Sequence, residues 1–185
     1  MAARGSARSK RAVASKLVIE KVEARALAPS PLGPLLIEAS SEGIVSLRLP
    51  LPDDPHPSAG PPPKGAAARH LAAARRQLAE YFSGRRRRFD VPLDPPGTKF
   101  DKEVWDHVTR IPYGTTLSYE EVAERLGQPR SATKVGTANK TNPIPIVIPC
   151  HRVVQNDGSL GPYSGGSPEI KWRLLQLEGI APIEG

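Results

Sequence analysis

The sequence predicts an α/β N-terminal domain, a small β-sheet with one helix, followed by a mainly α C-terminal domain that carries a helix-turn-helix. Three observations predict it. Residues 17–49 are aliphatic runs cut by Pro31–Gly33 and by Ser41–Gly43, the turn chemistry that separates short strands. Residues 66–83 place Leu71, Leu78, Tyr81 and Phe82 on one side of a helix. Beyond residue 97 the apolar residues keep a helical spacing, and a capped helix, a Gly-containing turn and a second helix follow one another.

Residues 1–16 are a basic, flexible tail. The 185-residue chain has a net charge of +7. Residues 1–25 carry seven Lys/Arg against two Glu, whereas residues 97–182 carry ten against nine acids. The basic excess is therefore largely N-terminal, and it reads as a solvated arm rather than a nucleic-acid arm. No apolar stretch reaches the ~18 residues of a membrane span, and the N-terminus lacks the apolar core of a secretory signal. In "PLLIEASSEGIVSLRL" the Ser41–Gly43 turn predicts a hairpin. Residues 51–65, "LPDDPHPSAGPPPKG", form a proline-rich loop without periodicity. The helix of residues 66–83 ends at Gly84, and Arg85–Arg88 are its exposed exit. "FDVPLDPPGTKF" predicts a short strand and then a linker. The N-terminal domain accordingly spans 17–93 and the C-terminal domain 97–182.

"TKFDKEVWDHVTRIP" predicts a helix with Phe100, Val104, Trp105 and Val108 on its inner side, stopped by Pro112. In "GTTLSYEEVAERLG" Ser118 and Glu121 form a capping box, and Gly127 closes the helix. A second short helix follows at about 130–140. It bears Arg130, Lys134 and Lys140 and no acid, while the first helix holds Glu120, Glu121 and Glu124. Two ordinary core helices would also fit, but the charge split suits a second helix that faces phosphates.

The only cysteine, Cys150, lies in "PIPIVIPCHRVV". One cysteine makes no internal disulfide. With four scattered histidines (His56, His70, His107, His151) it makes no thiolate-rich zinc site, so neither metal nor cofactor is expected. The common role of a lone cysteine is that of a small buried hydrophobe. Its neighbour His151 points elsewhere, because a thiol with a pKa of ~8.5 needs a base to become a nucleophile near neutrality. Neighbouring side chains on a strand face opposite ways, so a Cys–His contact needs a turn or a bridging water. Pro143, Pro145 and Pro149 exclude a central strand and predict a tight turn after Pro149. Glu178, near the end of the last helix, is by type the group to orient the imidazole.

"IPCHRVV", preceded by "VGTANKTNP" and followed by "GPYSGG" and "KWRLLQLEG", resembles the O6-alkylguanine-DNA alkyltransferase family. Residues 97–180 match its C-terminal domain closely, and "PLGPLLIEASSEGIVSLRL" and "AEYFSGRRRRFDVPL" match its N-terminal domain loosely. The resemblance implies an RNase H-like N-terminal domain and irreversible, one-shot transfer of an alkyl group from guanine in DNA to the protein's own thiol. It implies that Cys150 is the acceptor, that His151 deprotonates it through a water, and that Glu178 orients His151. Asn142 would steady the turn that carries the thiol, and Tyr119 would hydrogen-bond the extruded guanine. Val153 would offer its carbonyl to the base, Tyr163 would wall the pocket, Ser164 would contact the O6 edge, and Arg152 would be a buried structural arginine. Arg130, Thr133, Lys134, Gly136 and Lys140 would face DNA.

One departure stands out. Where the family has an arginine that fills the gap left by the flipped base, this chain has Thr133; Lys134 points about 100° away on a helix. Asn139 takes a position opposite the base that is often apolar. The implied partner is double-stranded DNA carrying O6-alkylguanine, with O4-alkylthymine as a second substrate, bound through the minor groove by a monomer. The implied compartment is the cytoplasm, or the nucleus of a eukaryotic source. Two other classes fit some of the residues: a lesion-binding alkyltransferase-like protein with little transfer, and a cysteine hydrolase. The basic second helix disfavours the hydrolase, and the retained Cys150 disfavours the pure binder.

Overall fold

The computed structural model describes residues 21–49, 63–161 and 163–181. The basic tail of residues 1–16 and most of the proline-rich loop lie outside them. Three strands, β1 (Ala24–Ala28), β2 (Leu35–Ala39) and β3 (Ile44–Arg48), form an antiparallel meander in sequence order. Its first turn is closed by Gly33, whose φ of +105° disfavours a side chain. The expected hairpin at Ser41–Gly43 joins β2 to β3, where the Ser40 amide donates 2.9 Å to Gly43 O. β2 is buried along its whole length. Its buried Glu38 is partnered on both oxygens: Arg25 Nε lies 2.7 Å from Oε1 and Ser46 Oγ donates 2.6 Å to Oε2.

The first long helix, α1 (Gly65–Phe82), buries Ala67, Leu71, Ala74, Leu78 and Tyr81, one stripe at helical spacing laid across the sheet. Gly84, at φ +74°, ends it. The strand expected in "FDVPL" shrinks to a single bridge between Ile44 and Leu93. Pro92, Pro95 and Pro96 have no N–H to extend a ladder, so only Ile44 N to Pro92 O and Asp94 N to Ile44 O form, each 2.8 Å. Gly43 is required beside them, since a Cβ there would sit 2.6 Å from Pro92 O.

The second half is mainly helical. α2 (Lys99–Thr109) opens with a capping box between Thr98 and Asp101, and its Trp105 Nε1 donates 2.9 Å to Ala138 O. A two-residue strand, β4 (Leu117–Ser118), leads straight into α3 (Tyr119–Arg125), whose Ser118–Glu121 capping box forms as expected. Gly127, at φ +70°, turns the chain into a 3₁₀ turn, Pro129–Ser131, and then α4 (Ala132–Lys140). These are the two helices of the predicted helix-turn-helix. A second 3₁₀ turn, Cys150–Arg152, follows Pro149, where the sequence demanded a tight turn. It runs into β5 (Val153–Val154), which pairs in parallel with β4 and sets α3 against the cysteine turn. The last helix, α5 (Pro168–Leu177), closes over that turn. One apolar core runs through both halves, from Ile37 and Leu78 to Val108, Ile148 and Leu174. β3 also meets the segment before the cysteine directly, with Leu47 N donating 2.9 Å to Pro143 O. Among the described residues, no helix is long and apolar enough to cross a membrane.

Candidate active site and nucleic-acid face

The thiol is delivered by a loop held under strain. Ile146, a buried β-branched residue, sits at φ +77°, a region such residues rarely enter. Asn142 holds that loop from within: its Nδ2 donates 2.9 Å to Ile148 O, and its Oδ1 accepts from Ile144 N at 2.9 Å. Ile148 N closes the turn on Ile144 O at 2.9 Å. The 3₁₀ turn then rotates successive side chains by about 120°. Cys150, His151 and Arg152 therefore leave the backbone in three directions, and no direct Cys–His bond forms.

Cys150 is fully buried, with Sγ 3.1 Å from Ser164 Oγ. Burial pushes its pKa up, and the hydrogen bonds to Ser164 and Asn142 and the charge of Lys171 pull it back. A base is therefore needed. His151 is also fully buried, and its Nε2 lies 2.8 Å from Glu178 Oε1. Burial lowers its pKa and keeps the ring neutral; the carboxylate then assigns the proton to Nε2. Nδ1 is left as an acceptor, and it is a buried atom with no hydrogen-bond partner among the described residues. Burial alone would raise Glu178, but hydrogen bonds from His151 and Arg152 hold it at about 2.

Arg152 spans Glu178, with Nε 2.9 Å from Oε2 and Nη2 3.0 Å from Oε1, and its Nη1 donates 2.6 Å to Ile111 O. Glu178 Oε2 also accepts from Gly114 N at 3.2 Å, and Oε1 accepts from the Tyr81 hydroxyl at 2.7 Å. Tyr163 is buried beside the thiol, and burial first and Cys150 second raise its pKa well above the usual value. Its ring lies over Gly165, where a Cβ would come within 2.6 Å. Tyr119 is buried at the start of α3, with its ring beside Gly136 of α4, where a Cβ would make an ordinary 3.7 Å contact with Cδ1. Asn139 is buried under the turn, with Nδ2 donating 3.3 Å to Cys150 O. Arg130, Thr133, Lys134 and Lys140 are exposed.

Two site residues escaped sequence reasoning. Lys171 is 0% exposed, with Nζ donating 2.7 Å to Val153 O and also reaching Leu160 O. Burial lowers its pKa to about 8. Its signal was its position: Lys171, Leu174, Leu175 and Glu178 follow the i, i+3, i+4, i+7 spacing of a buried helix face. Tyr81 had no local signal for a polar role. Among the described residues, no group of three His, Cys, Asp or Glu could hold a metal ion.

Fold and site together define a helix-turn-helix protein with a buried Cys–His–Glu constellation at the back of its paired helices. The chain belongs to the 6-O-methylguanine DNA methyltransferase family. The family's DNA-binding domain model matches residues 99–180, and its ribonuclease-like domain model matches residues 24–95. The chain is 41% identical over 156 residues to a methylated-DNA–protein-cysteine methyltransferase of Methanosarcina barkeri, covering 80% of this chain and 92% of that protein. It is 46% identical over 112 residues to the constitutive enzyme of Bacillus subtilis, covering 60% of this chain and 68% of that one. The crystal structure of Mycobacterium tuberculosis OGT in complex with DNA superposes with a TM-score of 0.69 at 39% identity, covering 82% of this chain and 90% of that chain.

Proposed function

We propose that this chain repairs O6-alkylguanine in duplex DNA by taking the alkyl group onto Cys150, once per molecule. The observation that carries the reading is the unpartnered Nδ1 of His151, a neutral buried base whose other nitrogen is held by Glu178. A water between Nδ1 and Sγ passes the thiol proton to the imidazole. The thiolate attacks the alkyl carbon; the S–C bond forms and the C–O6 bond breaks. The bonding pair stays on the guanine, which takes up a proton in place of the one lost by the thiol. The thioether is not reversed by thiol exchange.

Asn142 holds the thiol loop, Ser164 marks where the O6 edge arrives, and Tyr163 walls the pocket. Val153 keeps a carbonyl lone pair for the base, and Tyr119 meets the extruded guanine, which must leave the stack to be reached. Arg130, Lys134 and Lys140 bind phosphates, Gly136 lets the backbone approach, and Thr133 stands at the extrusion gap. Arg152 is structural. The division into domains at 17–93 and 97–182 belongs to this proposal. A thiol that must stay reduced places the protein in the cytoplasm, or in the nucleus of a eukaryotic cell.

The test is intact-mass spectrometry after exposure to duplex DNA containing O6-methylguanine. The expected result is a gain of one methyl for hydrogen, mapped to Cys150 and absent in Cys150→Ser. Turnover beyond one equivalent, or lesion binding with no mass gain, overturns the proposal.

A further inference from the structure

Tyr81 stands at the end of α1, ninety-seven positions before the carboxylate it touches. It is 0% exposed, and its ring is wedged among Phe82, Phe89 and Tyr113, with centroids 5.3, 5.5 and 6.1 Å away. A phenylalanine would satisfy that packing. Among the described residues the hydroxyl has one partner, Glu178 Oε1 at 2.7 Å, the same oxygen that holds His151 Nε2 at 2.8 Å.

We propose that Tyr81 is a positioning residue supplied by the N-terminal half of the chain: its hydroxyl draws on the Glu178 oxygen that holds His151, and so sets how strongly that carboxylate favours the imidazolium. The proposal rests on the reading of His151 as the base for Cys150.

Oε1 accepts from three donors, the Tyr81 hydroxyl, His151 Nε2 and Arg152 Nη2, and Oε2 from two, Arg152 Nε and Gly114 N. The Tyr81 phenol is a fixed donor, because burial and the neighbouring Glu178 push its pKa far above the usual value. The titratable groups around the pair come from every side. Tyr81 comes from α1, and Tyr113, under the Arg87 guanidinium, from the loop after α2. Cys150 and Arg152 come from the 3₁₀ turn, Tyr163 from the loop after β5, and Lys171 from α5. Of these, Tyr81 alone reaches Glu178 from the N-terminal half through a hydrogen bond whose loss changes no net charge.

The sign follows from competition for one oxygen. With the hydroxyl gone, more of the carboxylate charge falls on His151 Nε2–H, which stabilises the imidazolium. His151 then stays protonated to a higher pH, and the neutral base is lost sooner on acidification. A residue that only packed would change the rate equally at every pH.

The experiment compares the full-length parent with Tyr81→Phe. It reads single-turnover transfer from free O6-benzylguanine across pH, and the ring-proton NMR titration of His151. In Tyr81→Phe the acid limb and the His151 midpoint both move up by about half a unit to one unit. An unmoved or lowered midpoint overturns the proposal, whatever happens to the plateau rate. If the parent itself does not transfer, the functional reading fails, while the NMR titration, which needs no transfer, still decides the role of Tyr81.

Discussion

Lys171 Nζ lies 2.7 Å from the carbonyl oxygen of Val153, and the same ammonium reaches Leu160 O. One buried cation thus ties α5 to β5 and to the loop that leads to Ser164. Its charge also favours the thiolate of Cys150. Lys171→Met keeps the stem but leaves two carbonyls without a donor. At about 1–3 kcal/mol for each unmet buried group, the variant loses roughly 2–6 kcal/mol of stability. Its thiol titrates higher than the parent's, so transfer slows at neutral pH. Urea unfolding and single-turnover rates check both, and unchanged stability would show that the carbonyls find other donors.

Glu178 gives the fold an acid-sensitive point. Its carboxyl sits at about 2 against an ordinary 4.5, so the stability it confers is complete above 4.5 and is lost as pH falls toward 2. His151, lowered by burial from 6.5, acts in the same direction, since the unfolded imidazole takes up protons first. The Glu178 contribution is about 3 kcal/mol. Glu178→Gln flattens this acid slope. It also lowers stability at neutral pH by roughly 3–5 kcal/mol, because Arg152 is left buried without its anion. Parallel pH–stability curves for parent and variant would contradict this.

Thr133 is exposed in the first turn of α4, and on the proposed reading it stands where an extruded base leaves a gap. Unstacking costs a few kcal/mol, and a threonine has only a methyl and a hydroxyl with which to offset it. Thr133→Arg therefore speeds transfer from duplex DNA several-fold and leaves reaction with free O6-benzylguanine unchanged. Lys134→Ala weakens DNA binding evenly across sequences and reduces the salt slope by about one. An unchanged duplex rate would place the extrusion site elsewhere.

Gly136 lies inside α4, where a Cβ would meet only the Tyr119 ring at 3.7 Å, an ordinary contact. Gly136→Ala should then gain about 0.5–1 kcal/mol of helix stability. If Gly136 lets the backbone approach phosphates as proposed, DNA affinity also falls on adding the methyl. Thermal unfolding and a binding titration separate the two effects.

What the sequence determined by itself is local. Ser118 with Glu121, Gly84 and Gly127 after their helices, and the prolines around Cys150 all act within a few residues, so they can be read from spacing alone. The thiol beside an imidazole and the acid-free helix of Arg130, Lys134 and Lys140 were legible for the same reason. The box at Thr98 and Asp101 was as local, but it uses Asp where Glu or Gln is usual, and so went unread. Only the tertiary structure decided the rest. It put the Tyr81 hydroxyl on a carboxylate at the far end of the chain, buried the ammonium of Lys171, turned Asn139 inward under Cys150, and shortened the strand at Leu93 to one bridge. It also left Nδ1 of His151, rather than Nε2, as the free nitrogen. Each of these depends on which distant polar group a buried donor or acceptor meets when the core closes, because burial forces it to find a partner, and no spacing along the chain records which one.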